Sequence, residues 1–141
     1  MTIQEIKKQF FALRNGMLAD TLRKAGMPYG IIFGMNVPQL GQLARDITAD
    51  PDSDLGQLAG QLWADRNVRE SRLLACWLFP VEAVTPEAAL AMMADTQTRE
   101  EADILAFRLL RRLPFAERLA AEAPADYARE ALVRNLDALR S

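Results

Sequence analysis

The sequence contains no histidine and only one cysteine, Cys76, and these two scarcities remove whole classes of chemistry. Without an imidazole there is no Ser-His-Asp triad, no Cys-His pair, no His-ligated zinc and no neutral-pH proton shuttle. A single cysteine cannot close an intramolecular disulfide, and no basic-then-apolar leader is visible, so a reducing, cytoplasmic setting is expected. No apolar run reaches membrane-spanning length. Nothing calls for a cofactor or a metal: Gly26, Gly30 and Gly34 lack the spacing of either Gly-rich phosphate fingerprint, and no Gly-Lys-Ser/Thr is present. Catalysis, if there is any, falls to carboxylates, Arg, Lys, Tyr or Ser.

Lysine is also scarce. Of 17 basic residues only Lys7, Lys8 and Lys24 are lysines, and the rest are arginines. Arginine offers a planar bidentate fork to phosphate and carboxylate, although GC-rich coding produces the same bias. A net charge of −2 argues against a surface that is basic all over. At 141 residues, 50% of them apolar, the chain can bury a core without disulfide or metal staples, and residues 1–141 read as one helical-repeat domain.

Apolar residues recur at helical spacing almost throughout, so the expected class is all-α with no sheet. Residues 3–15 place Ile3, Ile6, Phe10, Phe11 and Leu13 on one broad face, and Gly16 allows a break before Met17–Lys24. Gly26 to Gly34 read as a turn-rich connection in which Tyr29 anchors the loop to the core or offers an exposed contact. Asn36 is a cap for a helix opened by Val37-Pro38, with Leu40, Leu43, Ala44 and Ile47 as its stripe. Further helices are expected over about 54–64, 67–79, 86–94, 99–113, 115–122 and 126–140. Thr85-Pro86 and a Thr98…Glu101 capping box mark two of the starts, and Pro80, Pro114 and Pro124 mark ends. Leu73-Leu74-Ala75 with Leu78 is echoed by Ile104-Leu105-Ala106 with Leu109, which suggests stacked antiparallel helix pairs; an irregular bundle is the plainer alternative.

Two stretches carry a resemblance: Ile32-Phe-Gly-Met-Asn-Val-Pro-Gln-Leu40, continuing to Ile47, and Leu62-Trp63 followed by Glu70-Ser-Arg72-Leu-Leu-Ala75. Over roughly residues 29–113 the chain resembles the DNA alkylation repair family of HEAT-like-repeat proteins. The resemblance implies an α-α superhelix of antiparallel helix pairs whose concave basic face holds double-stranded DNA. In active members it also implies excision of positively charged alkylated purines without a base-flipping pocket. The family's Trp-rich turn, with an Asp one helical turn on, corresponds here to Thr98-Arg-Glu-Glu-Ala-Asp103. Asp103 fits the acidic position, but Arg99 stands where the aromatic partner would be.

Asp103 is therefore the one candidate for chemistry, since a carboxylate beside a sugar carbon can stabilise the oxocarbenium character of a breaking N-glycosidic bond. An i,i+4 ion pair with Arg99 explains the same residue without a substrate. The candidate nucleic-acid-binding residues are Arg69, Arg72, Arg108, Arg111 and Arg112, which stacked repeats could align with Arg129 and Arg134 into a stripe. Pairing of these arginines with Glu117, Glu122 or Glu130 is the plain structural alternative. Glu70 is read as a first-turn carboxylate behind a cap at Asn67, and Trp63, Trp77, Met92, Met93 and Cys76 as core. Three functions stay open: duplex DNA binding without full glycosylase activity, a protein-interaction scaffold, and an active alkylpurine glycosylase using Asp103.

Overall fold

A computed structural model describes residues 1–141. It is all-α: nine α-helices joined by short turns except for the longer connection over residues 25–36, with a single isolated bridge between Ile31 and Val68 in place of any sheet. No helix is long and apolar enough to cross a membrane. The chain divides into two compact units, Met1–Phe79 and Pro80–Ser141.

The first unit holds α1 (Ile3–Ala12), α2 (Gly16–Lys24), α3 (Val37–Ala49), α4 (Leu55–Ala64) and α5 (Arg69–Leu78). Asn36 caps α3 through the Gln39 amide, and the Gln39 side chain returns to the Asn36 amide, so the expected cap is a reciprocal box with Pro38 in the first turn. Leu40, Leu43, Ala44 and Ile47 are all buried. The face of α1 is narrower than expected: Ile6 and Phe10 are fully buried, whereas Phe11 and Leu13 face solvent. Both α3 and α4 pack on α5, and every residue of α5 except Trp77 is buried.

The connection between α2 and α3 is held to the start of α5 by side chains 36 or 37 positions away. Gly30 donates its amide to Asn67 Oδ1 at 2.8 Å, and Phe33 and Gly34 donate theirs to the Glu70 carboxylate at 2.9 and 3.1 Å. Asn67 is thus a loop clasp rather than the expected cap; the capping position is Val68, which offers no side-chain acceptor. Gly34 is required here, because its φ is +90° and a Cβ would fall 2.1 Å from the Asn15 carbonyl oxygen. Tyr29 is buried against Ala19 and Ile32, which settles it as an anchor.

The second unit holds α6 (Pro86–Ala94), α7 (Arg99–Arg108), α8 (Ala116–Glu122) and α9 (Tyr127–Arg140). Thr85 caps α6 and Thr98 caps α7, while the Glu101 carboxylate accepts the Gln97 amide at 3.3 Å. Helix α7 packs against α9, and both carry buried small residues, Ala102 and Ala106 on one and Ala128 and Ala131 on the other. The helix expected to run to residue 113 stops at Arg108. Leu109 leaves α geometry, Leu110–Arg112 form a 3₁₀ turn, and Leu113 is extended with ψ 141°. The extended backbone at Leu113 is what Pro114 imposes on the residue before it.

Candidate functional site

Helix α7 carries the residues to which the sequence points. Asp103 lies on its outer face and is more than half exposed, and its carboxylate accepts from Arg134 Nη2 of α9 at 2.9 Å. The partner is therefore Arg134, one helix over, and not Arg99 one turn earlier. Arg99 instead lies over the Tyr127 ring, its guanidinium carbon 4.3 Å from the centroid. Tyr127, with smaller contributions from the charges of Glu130 and Asp103, raises the pKa of that guanidinium above its ordinary value. An aromatic ring thus stands beside position 99 after all, supplied by the first residue of α9. Sequence spacing had no access to Tyr127, because 28 positions, including the rest of α7 and all of α8, separate it from Arg99.

The end of α7 gathers Arg108, Arg111 and Arg112. Arg111 Nε donates to the Phe107 carbonyl at 2.9 Å, and Arg112 Nη1 donates to the Arg108 carbonyl at 3.1 Å. Both cations thereby satisfy carbonyls that the helix end leaves unpaired, where the negative end of the dipole favours them. Glu117 pairs with Arg140 and Glu122 with Arg118, so two of the three carboxylates that were the plain alternative are engaged elsewhere. Arg111 and Arg112 make no ion pair. Arg108 and Arg111 are half-buried and Arg112 is exposed. Their guanidinium carbons also lie near an exposed ring: Arg111 sits 3.9 Å and Arg108 4.9 Å from the centroid of Phe107.

Arg69 and Arg72 have a different place. They are 2% and 1% exposed, so the expectation that they present guanidinium groups to phosphate gives way to an internal role. Arg69 Nη1 donates to the Met35 carbonyl at 2.7 Å and to Glu70 Oε2 at 2.8 Å. Arg72 Nε donates to the Trp63 carbonyl at 2.6 Å, and its guanidinium lies 3.9 Å over the Trp63 ring. Buried charges are tolerated when they are paired and fully hydrogen-bonded, and no buried side-chain polar atom in the chain lacks a partner. The Leu-Trp…Glu-x-Arg element is therefore a packing device: Glu70 and Arg69 pin the loop before α3, and Arg72 locks the end of α4 to α5. Its residue types do not separate such a device from a ligand site, since Glu, Arg and Trp serve in both.

Arg129 likewise turns inward, donating to the Ala123 carbonyl at 3.2 Å. Cys76 is buried, with its thiol 3.4 Å from the Arg72 carbonyl. No three Cys, Asp or Glu side chains gather as a metal site. The exposed chemistry of the second unit is thus a balanced Asp103–Arg134 pair on one side of α7 and an arginine group around Phe107 at its end.

No curated protein and no solved structure matches the chain. The family model for DNA alkylation repair enzymes, by contrast, matches residues 6–131, a span that includes the loop clasp of Glu70, the Trp63–Arg72 lock, Asp103 and the arginines at the end of α7. On that match, the chain belongs to the DNA alkylation repair enzyme family.

Proposed function

We propose that the protein binds the backbone of double-stranded DNA through Arg108, Arg111 and Arg112 and does not excise alkylated bases. The observation that carries this reading is the pair Arg111 and Arg112, cations without a carboxylate partner at the end of α7. Each spends one N–H on a helix carbonyl and keeps further donors in its planar fork for an anion. Phosphate is the anion that a DNA alkylation repair family member meets.

The absence of excision is argued from Asp103. A carboxylate stabilises an oxocarbenium-like centre by its uncompensated negative charge, and here Arg134 balances that charge at 2.9 Å. Arg99, over Tyr127, adds a further cation one helical turn from Asp103. We assign the protein to the cytoplasm, in keeping with a single, buried cysteine.

Fluorescence anisotropy with a labelled duplex tests the reading. Binding is expected at low salt and falls as salt rises, with a log–log slope of about −0.9 for each phosphate neutralised. Arg111→Ala with Arg112→Ala should weaken binding and flatten that slope. Failure to bind at low salt, or an unchanged slope in the double variant, overturns it.

A further inference from the structure

Phosphate binding accounts for the arginines and leaves the ring beside them unexplained. Phe107 is 43% exposed, which an apolar side chain on a polar helix face gains nothing from when the ligand is a phosphate. Its flat surface lies 3.9 Å from the Arg111 guanidinium carbon and 4.9 Å from that of Arg108. Arg111 is held in that position at both ends, by the ring and by the Phe107 carbonyl that accepts from Nε. The result is a preformed stack of aromatic ring and guanidinium at the surface, with the exposed Arg112 beside it in sequence.

We propose that this stack takes an unpaired DNA base, so that the protein prefers a duplex interrupted by a bulged or single-stranded nucleotide to a continuous one. The inference rests on the reading that Arg111 and Arg112 bind DNA phosphates, and it adds the class of substrate at that same site. A base inside a continuous duplex has both faces covered by its neighbours and offers the stack only an edge. An unpaired base exposes a π-face that extends a ring or a guanidinium plane equally well, in a manner tolerant of sequence. The charge around the ring fits this ligand and disfavours an acidic-poor peptide: the cations reach the phosphates on either side of the base while the flat surface takes the base itself.

The test compares three labelled DNAs of one sequence: a continuous duplex, the same duplex with one bulged 2-aminopurine, and the single strand. Wild-type protein should bind the bulged duplex at least about fivefold more tightly than the continuous one, with 2-aminopurine fluorescence quenched on binding. Phe107→Leu keeps an apolar side chain and the carbonyl that accepts from Arg111 Nε, and should abolish both the preference and the quenching, with a loss of affinity for the bulged duplex clearly larger than that for the continuous one. Phe107→Tyr should restore them. Equal affinity of the wild type for bulged and continuous duplex, or a Phe107→Leu variant that keeps the preference, overturns the stacking inference and leaves phosphate binding standing. Loss of binding to every DNA in Arg111→Ala with Arg112→Ala supports the phosphate reading separately, and a wild type that binds none of the three DNAs overturns both.

Discussion

Glu70 accepts the amide proton of Gly34 at 3.1 Å, across 36 positions of sequence, from a site that is completely buried. The same carboxylate takes the Phe33 amide and the Arg69 guanidinium. One side chain therefore satisfies two loop amides and one buried cation, and removing it strands all three. Glu70→Ala should cost about 3–5 kcal/mol, the usual consequence of leaving one member of a buried pair uncompensated. Glu70→Gln should cost less, because its amide oxygen still accepts from the loop. The midpoints of urea unfolding of the two variants give the comparison; a loss below about 1 kcal/mol in Glu70→Ala would show that the clasp is not structural.

Gly34 and Gly26 have nearly the same backbone angle, φ +90° and +94°, but different surroundings. An added Cβ at Gly26 meets nothing within 4 Å, whereas at Gly34 it meets backbone at 2.1 Å. Gly26→Ala should therefore cost only the left-handed conformational penalty of about 1–2 kcal/mol. Gly34→Ala should cost clearly more, since the Asn15 carbonyl belongs to the α2 cap and cannot swing aside. Thermal unfolding of the two variants side by side checks the order.

Arg72 is held by a hydrogen bond from Nε and by stacking of its planar guanidinium on Trp63, a combination that a point-charge ammonium does not reproduce. Arg72→Lys should destabilise the first unit by about 1–3 kcal/mol despite keeping the charge. Near-ultraviolet circular dichroism should report a changed tryptophan environment in the same variant.

Asp103 and Arg134 form an ion pair with both side chains more than half exposed. Such a pair contributes about 0–1 kcal/mol, so Asp103→Asn should fold normally. Releasing Arg134 should leave affinity for duplex DNA equal or raised. Chromatography of the products should find no free alkylated purine with either protein; release by the wild type that is lost in Asp103→Asn would make Asp103 a catalytic residue.

The helices were legible where their signals are local. Asn36, Thr85 and Thr98 each cap the helix that follows them, because a capping oxygen reaches amides only two or three residues away. The echo between Leu73-Leu74-Ala75 and Ile104-Leu105-Ala106 marked residues that are all buried except the half-buried Ile104, since a helical stripe of leucines has one physical use. The site was less legible. Asp103 was found on a helix surface as its spacing suggests, but its partner is 31 positions away on α9, and Tyr127 reaches Arg99 by the same packing. Spacing arguments see i,i+4 neighbours on one helix and are blind to the next helix across.

What the sequence determined alone is the helical class, most helix starts, and the exclusion of imidazole chemistry and of an intramolecular disulfide, all of which depend on composition or on contacts within a few residues. What only the tertiary structure decided is the fate of each arginine. Arg69 and Arg72 lie on a helix whose every side is covered, so their charges turn inward to carbonyls, Glu70 and Trp63. Arg111 and Arg112 follow the residue where α7 ends, so theirs stay at the surface. A guanidinium on a long flexible stem serves both ends equally well, and which one it serves depends on what packs around the helix that bears it.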